Sequence, residues 1–152
     1  MAASVINTNS TDFLGDTGVS HHIVHKKEYF QDMTHLPGIF KIHQVQGTVS
    51  VTHWGTVIVE VDSACGKKPL RLTEILYIDS LNFNILSMQK LRAASLIPVF
   101  NEIPNKVVIK KRLPQGELEQ VALMSETKQG RLSLDCKILS SLGCHPPAME
   151  KY

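Results

Sequence analysis

The sequence predicts an all-β domain with one short helix. Between residues 45 and 78, β-branched and other apolar residues alternate with polar ones, which is typical of strands with one buried face. One segment, residues 87–94, joins good helix formers to a serine that can cap a helix. Glycines, prolines and asparagines separate these segments, so short strands joined by turns are the expected architecture.

The first predicted strands lie in the middle of the chain. Residues 45–61 are rich in Val, Ile and Thr, and Gly47 and Gly55 divide the run into two adjacent predicted strands. Residues 64–68 predict a turn. The alternation then resumes, which predicts a further strand over residues 69–78.

The predicted helix and three more strands follow. The helix over residues 87–94 begins at its capping serine. Residues 97–100 and 106–111 predict two strands around a turn at residues 101–105. Residues 117–124 predict the last strand, after which the pattern weakens.

Composition limits the function classes. The chain has 152 residues, 16 Lys and Arg against 14 Asp and Glu, and a formal net charge of +2. Nucleic-acid-binding proteins usually carry a larger or more clustered basic excess, so we predict no direct contact with nucleic acid. No segment reaches the ~18 consecutive apolar residues of a membrane span, so no membrane contact is expected. Three widely spaced cysteines (Cys65, Cys136, Cys144) fit a reducing, intracellular and cytoplasmic location.

The segment around Asp16 carries the clearest chemical signal. Asp16, Thr17 and Gly18 follow a short apolar run, an order that suits an aspartic protease. Such an enzyme needs a carboxylate on a tight turn close to the substrate, which the glycine permits, and Thr17 would lock that turn against its symmetry mate. Two such carboxylates ~3 Å apart cannot both ionise, so they share one proton. The ionised carboxylate activates water, and the protonated one polarises the scissile carbonyl.

The triplet alone also fits an ordinary β-turn, in which Asp16 bonds its own backbone and Gly18 takes a positive φ. Because Gly makes up about 7% of residues, such a triplet arises by chance in roughly one chain of this length in ten. The sequence contains it once, since Asp62 and Asp79 are followed by serine but not by glycine. A catalytic Asp16 therefore requires a second copy of the chain, and a C2 homodimer is expected.

The histidines after the triplet raise the possibility of a metal site. On a helix, His21 and His25 would share a face, but no glutamate follows His21 as a zinc metalloprotease requires. The pair Cys144 and His145 lacks the spacing of a zinc-binding module. We therefore predict no metal and no cofactor, and we expect His22 to pack or to form hydrogen bonds.

Four segments match, in order, the motifs of one known family. Residues 16–23 read Asp-Thr-Gly-Val-Ser-His-His-Ile, and residues 54–57 read Trp-Gly-Thr-Val. Residues 72–91 contain Ile-Leu-Tyr-Ile followed by Asn-Ile-Leu-Ser, and residues 129–134 read Gln-Gly-Arg-Leu-Ser-Leu. Together these segments resemble the retropepsin-like aspartic protease domain of copia-type retrotransposon polyproteins, with the last one similar to the start of the following pre-integrase region.

The resemblance implies a closed, mostly β, retropepsin-like fold that is homodimeric. It implies an aspartic endopeptidase that processes a polyprotein at extended peptide sites, in the cytoplasm or within virus-like particles. The implied domains are residues 12–113 as the protease, with residues 1–11 as a flexible lead and 114–152 as the C-terminal extension. Residues 97–100 become a candidate interface strand. The implied catalytic residues are Asp16, Thr17 and Gly18, and the implied substrate-binding flap comprises His43, Gln44, Val45, Gln46 and Gly47.

Three departures from the family pattern leave other functions open. Gly15 stands where the family has a large apolar residue, the flap lacks an Asp-Gly pair, and Asp79 and Ser80 stand where a turn residue such as proline is frequent. A catalytically silent, domesticated module that dimerises or binds peptides on the same fold is the alternative to an active protease. A third reading is an unrelated all-β binding domain with a chance triplet.

Overall fold

A computed structural model describes residues 11–44, 47–139 and 152, with the side chain of Gln44 excepted. The described chain is all-β with one short α-helix, as the sequence predicts. The predicted lead lies outside the described residues except for Thr11. No helix in the described ranges has the length and hydropathy needed to cross a membrane.

The strands belong to one sheet, and the helix follows the sixth strand. A 3₁₀ turn at Lys27–Tyr29 joins the second and third strands. The elements are β1 (Phe13–Asp16), β2 (Ile23–Val24), β3 (Asp32–Gln44), β4 (Gly47–Ser63), β5 (Gly66–Tyr77), β6 (Asn84–Ser87), α1 (Met88–Ala93), β7 (Leu96–Ile103), β8 (Lys106–Arg112), β9 (Leu118–Glu126), β10 (Leu132–Leu134) and β11 (Cys136–Ile138).

The sheet order is β11-β4-β5-β2-β6-β1-β10-β9-β8-β7, and β3 also pairs with β4. Strand β6 lies between β1 and β2, parallel to the first and antiparallel to the second. The connection from β1 to β2 must therefore cross over the end of β6. The described part of the predicted C-terminal extension continues the same sheet, because β10 pairs with β1 and β11 pairs with β4.

The long hairpin β3–β4 follows this crossing. Its two strands pair from Asp32 and Thr56 to Gln44 and Gly47, with a register shift between His35 and Phe40. Strand β4 is a single strand of 17 residues, so the prediction of two strands there is wrong. Strands β3 and β5 hold it on both sides, and Gly55 accommodates an irregularity without ending it.

Glycine is required at residue 55. A Cβ there would overlap the carbonyl oxygen of Asp32 on β3 and would lie 3.0 Å from Cδ2 of Phe30. The register between β4 and β5 shifts between Gly55 and Val57. The close approach of the β3 backbone to Gly55 explains why the motif at residues 54–57 contains glycine.

The main core brings together side chains from β4, β5, β8, β9 and α1. Strand β4 supplies Val57, Val59 and Val61 at alternate positions, each at most 1% exposed. Strands β8 and β9 supply further members, among them Ile109 and Met124. Burying a side chain of this size contributes about 1.5–3 kcal/mol.

A second, smaller core lies under the β3–β4 hairpin. Its buried members are Ile23, Val51, Leu76, Ile78 and Ile85. Partly buried residues from the hairpin pack against it, including Phe40, Ile42, Val49 and Trp54. The hairpin is thereby attached to the strands that flank the crossing.

Helix α1 confirms the predicted position and cap. It spans Met88–Ala93, and the side chain of Ser87 accepts a hydrogen bond from the backbone N–H of Lys90. The strands predicted at residues 69–78, 97–100, 106–111 and 117–124 correspond to β5, β7, β8 and β9.

Candidate active site

Asp16 is the last residue of β1, beside the start of α1. Strand β1 runs parallel to β6, and the register places Asp16 opposite Ser87, the residue that caps the helix. Residues 17–22 then cross over the end of β6 to reach β2. Asp16 is half-buried, whereas Thr17 and Gly18 are exposed. The predicted catalytic triplet therefore lies on a turn at the surface, held between two buried strands.

Residues 16–19 are called the Asp16 turn below, and three hydrogen bonds define it. The backbone N–H of Gly18 donates to Oδ1 of Asp16 at 2.7 Å, which fixes the carboxylate against its own backbone. Nε2 of Gln89 donates to the carbonyl oxygen of Thr17 at 2.7 Å. The hydroxyl of Ser87 donates to the carbonyl oxygen of Val19 at 2.6 Å. Two of the three partners come from the β6–α1 junction, so the junction positions the Asp16 turn.

Ser87 therefore has two roles, of which the sequence predicts one. Its Oγ accepts the N–H of Lys90 as a helix cap and donates to Val19 across 68 residues of sequence. The capping role follows from local sequence alone. The contacts of Ser87 and Gln89 with the turn carry no local signal, because they depend on β6 lying beside β1.

His22 supports the same junction from inside. Its side chain is 0% exposed, and its Nδ1 accepts the backbone N–H of Ser87 at 2.9 Å, which confirms the predicted hydrogen-bonding role. Burial, helped by the nearby charge of Lys90, lowers the pKa of His22 to about 3. The imidazole is therefore neutral over the whole mildly acidic range and keeps Nδ1 available as an acceptor.

We expect His22 to make the fold sensitive to acid. Its pKa is about 3 in the folded state against 6.5 in the unfolded state, so the unfolded chain binds the proton first as pH falls. The free energy of unfolding is therefore highest above pH 6.5 and decreases as the pH falls toward 3. At pH 5 the contribution of His22 alone lowers it by about 2 kcal/mol. Urea unfolding of wild type and His22→Gln between pH 4 and 7 measures this, and the variant should show the shallower pH dependence.

The control for this experiment is Gln115→Ala, because Gln115 is exposed and carries no titratable group. It should leave the pH dependence unchanged. Equal slopes for wild type and His22→Gln would show that His22 is not held neutral by burial.

Two methionine side chains occupy the space next to Gly15, where the family has a large apolar residue. A Cβ at Gly15 would lie 3.0 Å from Cε of Met124 and 3.4 Å from Sδ of Met88. Met124 is fully buried on β9, and Met88 is the first residue of α1. These side chains fill the space beside β1 that a large residue at position 15 would need, so the departure from the family pattern leaves a packed strand.

This packing predicts how position 15 tolerates substitution. Gly15→Ala should change the free energy of unfolding by less than about 1 kcal/mol, because the nearest atom is the flexible end of Met124. Gly15→Leu should cost about 1–3 kcal/mol through overpacking. Combining Gly15→Leu with Met124→Ala should recover much of the loss. Urea unfolding of the two single variants and the double variant measures the coupling, and strictly additive effects would contradict the exchange of volume.

The predicted flap corresponds to the tip of the β3–β4 hairpin. His43 and Gly47 lie at the ends of the paired strands, and Nδ1 of His43 is 3.1 Å from Oγ1 of Thr48. Val45 and Gln46 lie outside the described residues. Nearer its base, the hairpin approaches the Asp16 turn, since the rings of Phe40 and His21 meet edge-on at 5.0 Å.

A groove of about 290 Å³ lies beside the turn, because Gly15 and Thr17 are among the residues that line it. Exposed Phe100, on the edge strand β7, forms part of its wall and is 59% accessible. The groove is mostly apolar. It is lined by Gly15, Thr17, Met88, Leu91, Arg92, Leu96, Pro98, Phe100, Ile109 and Leu132.

His21 and His25 lie on an irregular segment around β2 and not on one helix face. Oγ of Ser20 bonds Nδ1 of His21, and the ring of His25 meets Tyr29 edge-on. Within the described ranges, no three His, Cys, Asp or Glu side chains are grouped so that they could hold a metal ion.

The chain matches the sequence model of a protein family. The sequence model of the family described as Pol polyprotein, beta-barrel domain, covers residues 13–96. This range includes the Asp16 turn, the β3–β4 hairpin, helix α1 and the first residue of β7. No curated protein sequence matches the chain significantly.

Proposed function

The chain belongs to the family of Pol polyprotein β-barrel domains, and from that premise we propose that it is a retropepsin-like aspartic endopeptidase of the copia type. Family membership supports a role within a retroelement polyprotein. The proposed reaction is hydrolysis of that polyprotein at extended peptide sites. Each subunit of a homodimer contributes one Asp16.

The position of Asp16 is the main observation that supports this proposal. Its carboxylate ends a strand at the surface, is fixed by the N–H of Gly18, and stands on a turn anchored to α1 by Ser87 and Gln89. A general base must be held in a defined geometry to act on water. A plain surface β-turn needs neither the crossing over β6 nor the contacts from α1.

The proposed mechanism uses the two carboxylates as a pair. Because like charges about 3 Å apart cannot both be ionised, the pair holds one proton. The ionised Asp16 takes a proton from water, which attacks the scissile carbonyl carbon, while the protonated Asp16 donates to the carbonyl oxygen. The Asp16 that took the proton from water then passes it to the leaving nitrogen as the C–N bond breaks. The other Asp16 recovers its proton from the hydroxyl of the tetrahedral intermediate, so the pair again holds one proton.

A second copy has a surface available beside the turn. Gly15, Thr17 and Phe100 all line the groove, and β7, which carries Phe100, pairs with β8. An edge strand with an exposed aromatic side chain is suited to pairing with another chain. The partner expected there is the same chain, because the sequence supplies one Asp-Thr-Gly triplet.

The polypeptide substrate would lie between the Asp16 turn and the β3–β4 hairpin. An extended peptide can add its backbone to the strands there, and the hairpin would close over it as a flap. We propose that the protease unit comprises residues 12–113 together with β9, β10 and β11, which belong to the same sheet. We propose an intracellular site of action, within the cytoplasm or virus-like particles.

The direct test is cleavage of an unfolded protein substrate at pH 5 to 6, measured over a range of enzyme concentrations. A homodimeric active site predicts that activity per chain rises with concentration and then levels off as the dimer forms. Activity should also fall on both sides of a mildly acidic optimum. A dimer that lacks activity at every pH would favour the silent binding module instead.

A further inference from the structure

Tyr152, the last residue of the sequence, is docked onto strand β5. Its backbone N–H donates to the carbonyl oxygen of Arg71 at 2.8 Å, and its carbonyl oxygen accepts the N–H of Thr73 at 3.0 Å. Strand β5 pairs with β4 on one edge, whereas β2 covers the other edge only at Leu76 and Tyr77. Tyr152 therefore extends the sheet by one residue, in the manner of an added strand.

The side chain of Tyr152 anchors this contact. It is 6% exposed and belongs to the main core. The void beside it measures about 10 Å³, so the socket is filled. Among the residues that line the socket, Leu91, Leu96 and Ile109 also line the groove beside Asp16. The socket and the groove therefore share part of one wall, formed by α1, β7 and β8.

A continuous set of hydrogen bonds joins Tyr152 to the Asp16 turn. Thr73 donates its N–H to Tyr152 and accepts Nζ of Lys90 at its own carbonyl oxygen. The N–H of Lys90 then donates to Oγ of Ser87 at 3.1 Å, and Ser87 donates to Val19 at 2.6 Å. The bonds therefore lead from Tyr152 to β5, from β5 to α1, and from the start of α1 to the Asp16 turn.

The backbone at the centre of this path is strained. Glu74, which follows Thr73, has a φ of +54°, a conformation that non-glycine residues rarely adopt. Such a conformation persists where contacts on both sides over-determine it. Here Tyr152 binds Thr73 from one side and Lys90 binds it from the other, with Glu74 Oε1 4.0 Å from the Lys90 ammonium.

We infer that Tyr152 is a positioning residue for the Asp16 turn. By docking in the socket it fixes Thr73, and through Lys90 and the shared wall it holds α1 in the place from which Ser87 and Gln89 bind the turn. The inference rests on the proposed function only where it calls this turn catalytic. The mechanical coupling stands on the contacts alone.

Wild-type protein provides the first test. Nuclear Overhauser contacts are expected between the Tyr152 ring and the methyl groups of Leu91, Leu96 and Ile109. The N–H of Thr73 should be protected from hydrogen exchange. Absence of these contacts would overturn the inference without any variant being made.

The second test compares Tyr152→Ala with Tyr152→Phe in the full chain. Loss of the anchor should raise the exchange rates of Thr73, Lys90 and Gly18 by at least about tenfold relative to Val108 in β8, because local opening exposes the coupled elements first. Tyr152→Phe keeps the ring and should behave like wild type. Tyr29→Ala removes a partly buried tyrosine from the 3₁₀ turn and should leave the three rates unchanged.

Measurements of activity distinguish a role of Tyr152 in positioning the Asp16 turn from a role in core packing alone. In Tyr152→Ala, kcat should fall about tenfold or more while KM changes little, since a misplaced carboxylate affects the reaction more than binding. A wild-type kcat in that variant would overturn the inference, as would uniform exchange at all sites including Val108. Should Tyr152→Ala fail to fold, Tyr152→Leu is compared in its place. If wild type proves inactive, the proposed function fails, yet the exchange pattern still decides whether Tyr152 holds the turn.

Discussion

Replacing Asp16 by asparagine is expected to lower the rate of peptide cleavage by about 10³-fold or more while leaving the fold in place. The proposed mechanism needs one carboxylate that can take a proton and one that can donate it, and asparagine does neither. Its amide oxygen can still accept the N–H of Gly18, which now donates to Asp16 Oδ1 at 2.7 Å. The turn should therefore survive the substitution.

The measurement is cleavage of an unfolded protein at pH 5 to 6 by wild type and variant prepared side by side. Asp79→Asn is the matched control, because Asp79 is exposed, is followed by serine and lacks the glycine of the triplet. It should cleave like wild type. Activity that survives Asp16→Asn, above all with an optimum above pH 8, would contradict an aspartic protease at this site.

Replacing Phe100 by glutamate is expected to weaken the proposed homodimer by at least about 30-fold, since the loss of a central aromatic residue of an interface costs about 2 kcal/mol or more. Phe100 is 59% exposed on the edge strand β7 and forms part of the groove beside Asp16. The carboxylate of a glutamate at position 100 would be buried without an oppositely charged partner in a packed interface, which disfavours association. In the single chain the side chain already faces solvent, so folding stability should change by less than about 0.5 kcal/mol.

Sedimentation velocity over a concentration series measures the dimer directly, and activity per chain measured at the same concentrations should fall with it. Leu118→Glu is the control, because Leu118 is another exposed apolar residue, 40% accessible, on β9. It should leave the dimer unchanged. A Phe100→Glu protein that dimerises like wild type would move the interface away from β7.

The strands that the sequence predicts are those with one buried face. Strand β5 and the β7–β8 pair show alternation or dense β-branched residues between clear turns. The start of the helix is predicted because Ser87 is a residue type that caps helices. Strand β6 escaped prediction because all four of its residues are buried, so no alternation marks it. Strand β3 escaped because Pro37 and Gly38 interrupt its pattern, which the structure accommodates in the register shift of the hairpin.

The sequence by itself determined the fold class, the position of the Asp-Thr-Gly triplet and the need for a second copy of the chain if that triplet is catalytic. Tertiary structure alone decided how the turn is held. Ser87, Gln89 and His22 bind or support it across 65 to 72 residues, and Met124 fills the space that Gly15 leaves. Periodicity and capping are local properties and can be read along the chain. These contacts depend on which strands become neighbours, and in this sheet β6 lies between β1 and β2 although the chain places it after β5.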